Sequence, residues 1–133
     1  MKKIPVVVEK ASDGFFWCRT AEEINGTTML SGCGETVAAA KKDLLDCYNE
    51  AKADAKENGE NFEDIEFTYS FDLISFFNYF SFLNVSDIAK RAGINPSLMR
   101  QYTSGVKNAG EKTYSRLAEC IKDITKELTA ASF

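Results

Sequence analysis

The first half of the chain carries short runs in which apolar and polar residues alternate, and the second half repeats apolar residues every three or four positions. Ile4 to Lys10 is β-branched and apolar and predicts a strand. Ala11-Ser12-Asp13-Gly14 is a turn, with Asp-Gly as its hairpin signal. Phe15 to Thr20, rich in aromatic residues, is a second strand. Ala21 to Gly26 is polar and loop-like. Thr27 to Ser31 is a third strand, which Gly32-Cys33-Gly34 breaks. From Glu35 to about Lys56, the residues Val37, Ala40, Leu44, Cys47, Tyr48 and Ala51 recur at helical spacing, and Asn58-Gly59 closes that helix. Ile65 to Phe71 alternates Ile, Phe, Tyr and Phe with polar residues, as a half-buried strand does. The order β-β-β-α-β predicts an α+β domain with one helix on a small antiparallel sheet.

The remainder predicts an all-α domain, with the joint near residues 70–73, so that the chain divides into 1–70 and 71–133. Asp72 to Leu83 is a very apolar helix. Its four phenylalanines (Phe76, Phe77, Phe80, Phe82) exceed what one side of a small helix needs; core packing is the plain reading, and a dimer contact on one face is the alternative. Lys112 to Leu128 is a last amphipathic helix, with Tyr114, Leu117, Ile121, Ile124 and Leu128 inward. The tail Thr129 to Phe133 is expected to fray.

The densest signal lies between these two helices, in Val85 to Lys107, VSDIAKRAGINPSLMRQYTSGVK. Ser86 suits the N-cap of a helix Asp87 to Ala92, and Asp87 puts a negative charge at its positive end. Asn95 suits the N-cap of a second helix, Pro96 its first position and Gly105 its end. Ala89 packs where a larger side chain would hold the helices apart, and Gly93 supplies the tight turn. Ile88, Ala92, Ile94, Met99 and Tyr102 then fall inward. Asn95, Ser97, Arg100, Gln101 and Ser104 fall outward, as the face of a DNA-binding helix-turn-helix that would meet a major groove. Ser97, Arg100 and Gln101 are the candidate base readers, since Arg pairs bidentately with guanine and Gln with adenine. Asn95, Lys107 and Lys112 are the candidate phosphate contacts. A plain helical hairpin is the alternative for this stretch. One such unit contacts few bases, so a homodimer is expected, through the Phe-rich helix, the last helix or the sheet edge.

Charge changes the picture regionally. The net charge is −4. Residues 1–70 hold 8 Lys and Arg against 14 Asp and Glu, whereas residues 71–133 hold 8 against 6. Within 90–116, Lys90, Arg91, Arg100, Lys107, Lys112 and Arg116 face Glu111 alone. A basic DNA-binding unit behind an acidic unit suited to a basic protein partner follows from this distribution. The chain has no His, and Cys18, Cys33, Cys47 and Cys120 form no C-x-x-C pair. No metal site or cofactor is expected, and the thiols read as reduced and mostly buried. No apolar run reaches the roughly 18 residues of a membrane span, and the N-terminal run is too short for a signal peptide. A cytoplasmic location is the expectation.

Taken together, the two halves resemble the HicB family of bacterial antitoxins. IPVVVEKASDGFFWCRT is similar to that family's opening hairpin, and Gly34-Glu35-Thr36 followed by Val37-Ala38-Ala39-Ala40 to the start of its helix. The C-terminal half resembles the lambda-repressor-like helix-turn-helix that many members carry. In place of the family's Pro-Gly-Cys-like turn, the chain has AEEINGTTML with Asn25-Gly26. The resemblance implies a small domain with a partial RNase H-like or double-stranded-RNA-binding-domain-like fold, which masks a small basic HicA-like ribonuclease toxin. It also implies repression of the antitoxin's own operon through the second domain, at operator DNA. An orphan regulator without a toxin is the alternative. A nuclease is a third reading, with Asp13, Glu35, Asp43 and Asp64 as available carboxylates; all four are better explained as turn, cap and surface residues.

Overall fold

Strand alternation puts Ile4, Val6 and Val8 on one side of the first strand, and all three are buried in the computed structural model, which describes residues 1–133. The fold is α+β and divides into two compact units, Met1–Ser70 and Phe71–Phe133. The first contains strands β1 (Lys2–Lys10), β2 (Phe16–Thr20) and β3 (Ser31–Gly34), helix α1 (Val37–Glu57) and all but the last residue of strand β4 (Ile65–Phe71). Their order in the sheet is β3-β2-β1-β4. β1 and β2 pair antiparallel with Val8 opposite Cys18, and β2 and β3 do so with Cys18 opposite Gly32. The sheet is mixed rather than wholly antiparallel. β4 follows the α1 crossover, the kind of connection a parallel pair requires.

The third strand differs from the expectation of Thr27 to Ser31. Asn25 and Gly26 take positive φ (57° and 76°) and turn the chain so that Ile24 bridges Thr28. Ile24 is thereby buried among Ile4 and Tyr48, and Leu30 packs beside them. The strand is formed instead by the glycine stretch expected to break it. An added Cβ at Gly32 would lie 2.7 Å from Ala40 O and 2.8 Å from Leu44 Cα, and one at Gly34 would lie 2.6 Å from Ala39 Cβ. Glycine is used here because α1 lies directly on the strand, a close approach that outweighs its poor intrinsic strand preference. α1 begins at Val37 rather than Glu35, because Thr36 is the extended N-cap and accepts from Ala39 N at 3.0 Å. Asp43 accepts from Cys33 N at 2.9 Å and ties the same helix to β3.

All four cysteines are free thiols. Cys18 and Cys120 are buried, but Cys33 and Cys47 are only half-buried, so the expectation of mostly buried thiols holds for two. Burial pushes the Cys18 thiol up to about 11 against the opposing charge of Lys41, and keeps it neutral.

The second unit contains helices α2 (Leu73–Tyr79), α3 (Val85–Ala92) and α4 (Pro96–Ser104), a two-residue strand β5 (Ala109–Gly110) and helix α5 (Glu111–Ala131). Its core gathers Leu73, Phe77, Ile88, Ala89, Ile94, Met99, Tyr102, Ala109, Leu117 and Cys120. α2 ends four residues before the expected Leu83. Phe80 leaves helical geometry, Leu83 N donates back to Phe80 O, and Asn84 takes the extended backbone that caps the next helix. The phenylalanines consequently part ways: Phe77 is buried, Phe76 packs on the core, and Phe82 is 82% exposed. Phe71 stacks on Tyr114 with centroids 3.8 Å apart and planes 9° apart, and burial raises the Tyr114 hydroxyl pKa. α5 extends to Ala131, into the tail expected to fray from Thr129; Thr129 Oγ1 donates to Thr125 O at 2.8 Å within that last stretch. No helix is long and apolar enough to cross a membrane.

Candidate nucleic-acid interface

Two short helices and the turn Gly93–Asn95 build this surface from strong local signals. The first cap is Asn84 rather than Ser86: its side chain accepts from Asp87 N at 3.1 Å, which places Ser86 inside α3. Both residue types cap well, and the two stand two positions apart, so local chemistry alone does not separate them. Gly93 closes α3 at φ 71° and Gly105 closes α4 at φ 83°, left-handed conformations that favour glycine. Asn95 caps α4, its Oδ1 accepting from Ser97 N at 2.8 Å and Leu98 N at 3.3 Å, with Pro96 in the first turn.

Packing then sets which side of α4 faces water. Met99 and Tyr102 are buried, as are Ile88, Ala89 and Ile94, while Ala92 is half-buried against the same core. Positions 97, 100, 101 and 104 share the opposite face, one above the other. Ser97, Arg100 and Ser104 are exposed on it, and Gln101 is half-buried rather than fully outward. The Arg100 guanidinium donates through Nη2 to Ser97 Oγ at 3.0 Å, so one predicted reader steadies another. The Ser104 hydroxyl turns back to donate to Gln101 O at 3.3 Å. Asn95 is exposed, but its side-chain oxygen is engaged in the cap. Lys107 is exposed just past α4, with its backbone N–H donating to Gln101 O at 3.2 Å. Lys112 is exposed on a different element, in the first turn of α5.

The sequence reading missed two features here. Arg91, counted among the region's cations, forms an ion pair with Glu127 of α5, 36 positions away, which no local spacing announces. Val106, between Gly105 and Lys107, is 75% exposed. A lone valine in a polar loop carries no periodic signal.

The four carboxylates weighed for nuclease chemistry have local structural partners or lie on the surface. Asp13 accepts from Phe15 N at 2.9 Å and Trp17 Nε1 at 3.2 Å in the hairpin turn. Asp43 holds Cys33 N, and Asp64 pairs with Lys52, which lowers the Asp64 pKa. Glu35 is exposed before α1, where Thr36 rather than Glu35 is the cap.

No family model matches the chain, and neither a curated protein nor a solved structure matches it.

Proposed function

We propose that the chain is a sequence-specific DNA-binding repressor whose acidic N-terminal unit serves as the antitoxin of a small basic ribonuclease. The observation that carries the reading is the polar face of α4. Ser97, Arg100, Gln101 and Ser104 stand on one side of a helix whose other side, Met99 and Tyr102, is anchored in the core. A short helix presented in this way, capped by Asn95 and followed by Lys107, has the dimensions and chemistry that a major groove accepts. Arg100 and Gln101 are the base readers, with Ser97 orienting Arg100. Lys107 and Lys112 engage phosphates, while Arg91 is committed to Glu127.

The antitoxin part rests on the sequence resemblance to the HicB family and on charge. The excess of Asp and Glu in residues 1–70 suits a basic partner and repels phosphate. On the same reading the protein is a cytoplasmic homodimer that reads two half-sites.

Replacing Arg100 with alanine is expected to cost about 1–3 kcal/mol in operator binding and to relax preference at one base pair. Competition binding on a panel of operator point mutants checks this; an unchanged affinity and unchanged preference remove Arg100 from the readers. Co-expression of the chain with its neighbouring genes tests the other part. A small basic protein that copurifies in fixed ratio, and is lost when residues 1–70 are deleted, supports the antitoxin reading. Operator binding without any such partner leaves a regulator alone.

A further inference from the structure

We infer that Val106 reads the C5-methyl group of a thymine, as an apolar complement to the polar readers on α4. The inference rests on the DNA-binding reading and names a specificity residue outside the helix. Val106 is 75% exposed, in a loop that is held rather than trailing. Gly105 on one side adopts φ 83°, and an added Cβ there would come within 2.8 Å of Ile74 Cδ1, so the loop runs tightly past α2. Lys107 on the other side donates its N–H to Gln101 O at 3.2 Å. The valine therefore stands just past the end of α4, in a loop whose backbone is tied to the turn that carries Gln101.

The chemistry of the surroundings selects the occupant. The exposed residues nearest in sequence are Ser104, Gly105, Lys107 and Asn108, with Arg100 on the preceding turn. A lysine next to an isolated apolar side chain, with an arginine on the helix before it, suits an anionic surface that carries separate methyl groups. Duplex DNA offers this combination in its major groove, where the thymine methyl is the one apolar group on the base edges. Arg and Gln distinguish guanine and adenine by hydrogen bonds, and the valine supplies the contact that neither can make.

The test uses the full chain and duplexes that it enriches from a random DNA pool. Each thymine in an enriched duplex is replaced singly by deoxyuridine, which removes the methyl and leaves the pairing edge intact. At one thymine per half-site the wild-type chain is expected to lose about fourfold in affinity, the loss that follows from one methyl-sized apolar contact. V106A and V106S are expected to bind the thymine duplex more weakly by a similar factor and to be indifferent to deoxyuridine at that position. Both should melt as the wild type does, since the side chain is outside the core. Equal sensitivity to deoxyuridine in the wild type and V106A overturns the inference. So does a change in sedimentation behaviour of V106A with DNA affinity intact, which would make Val106 a contact between copies of the chain. A pool that enriches no duplex removes the DNA reading and this inference together. An Arg100→Ala defect without any methyl-sensitive thymine removes the inference alone.

Discussion

Alanine at position 32 is expected to destabilise the N-terminal unit by about 3 kcal/mol, the upper end of the usual range for overpacking. The size follows from what the new methyl would meet. Ala40 O and Leu44 Cα are backbone atoms of α1, at 2.7 and 2.8 Å, and cannot rotate away as a side-chain end can. Relief requires the helix to lift from β3, which would disturb the burial of Ala40 and Leu44, both fully enclosed. Trp17, the chain's one tryptophan, lies on β2 opposite Cys33 of β3, so its fluorescence during chemical denaturation reports this unit directly. Gly26→Ala is the control. Its φ of 76° makes alanine strained there, yet no atom lies within 4 Å, so a loss of about 1 kcal/mol is expected. Equal losses at the two positions would show that backbone strain, not the contact between helix and strand, governs this region.

Met99→Ala is expected to cost about 2–5 kcal/mol in the C-terminal unit. Met99 is 2% exposed and packs in the cluster formed by Leu73, Phe77, Ile88, Ile94 and Tyr102. It also directly precedes Arg100, so the cavity left by its removal frees α4 to rotate about its axis. Far-UV circular dichroism should show an earlier helical transition. DNA affinity should fall even though the substitution touches no outward residue. Met99→Leu, which nearly conserves volume, should recover all but about 1.5 kcal/mol of the stability. A Met99→Ala loss below about 1 kcal/mol would mean that α4 is held from elsewhere.

How well an element could be read from the chain follows from how far its causes extend. β4 was predicted with its observed bounds, since the alternation in Ile65–Phe71 has no competing local signal. The Asn95-Pro96 start and the Gly93 and Gly105 ends were legible because a cap is decided within a turn of chain. Local pattern misplaces β3 because the reason for its glycines lies on α1, about ten residues on. Asn84 and Ser86 compete for one role, and the backbone after Phe80 settles it. The outward face of α4 followed from helical spacing. The half-burial of Gln101, the hydroxyl of Ser104 turned onto its own helix and the Arg91–Glu127 pair depend on side-chain placement and on distant partners.

The Phe71–Tyr114 stack bears on how such a chain can be recombined. Phe71 is the last residue of β4, yet it belongs to the second unit and lies flat on a ring of α5. The boundary between the units therefore falls inside a strand, with no spacer to cut. A chimera that joins this sheet to a different reader, or this reader to a different sheet, inherits position 71 from whichever parent supplies the strand. Unless that parent places a planar aromatic there, Tyr114 loses the surface against which its ring is shielded. Shuffling at this seam must therefore preserve one residue that a parse by secondary structure would assign to the wrong side.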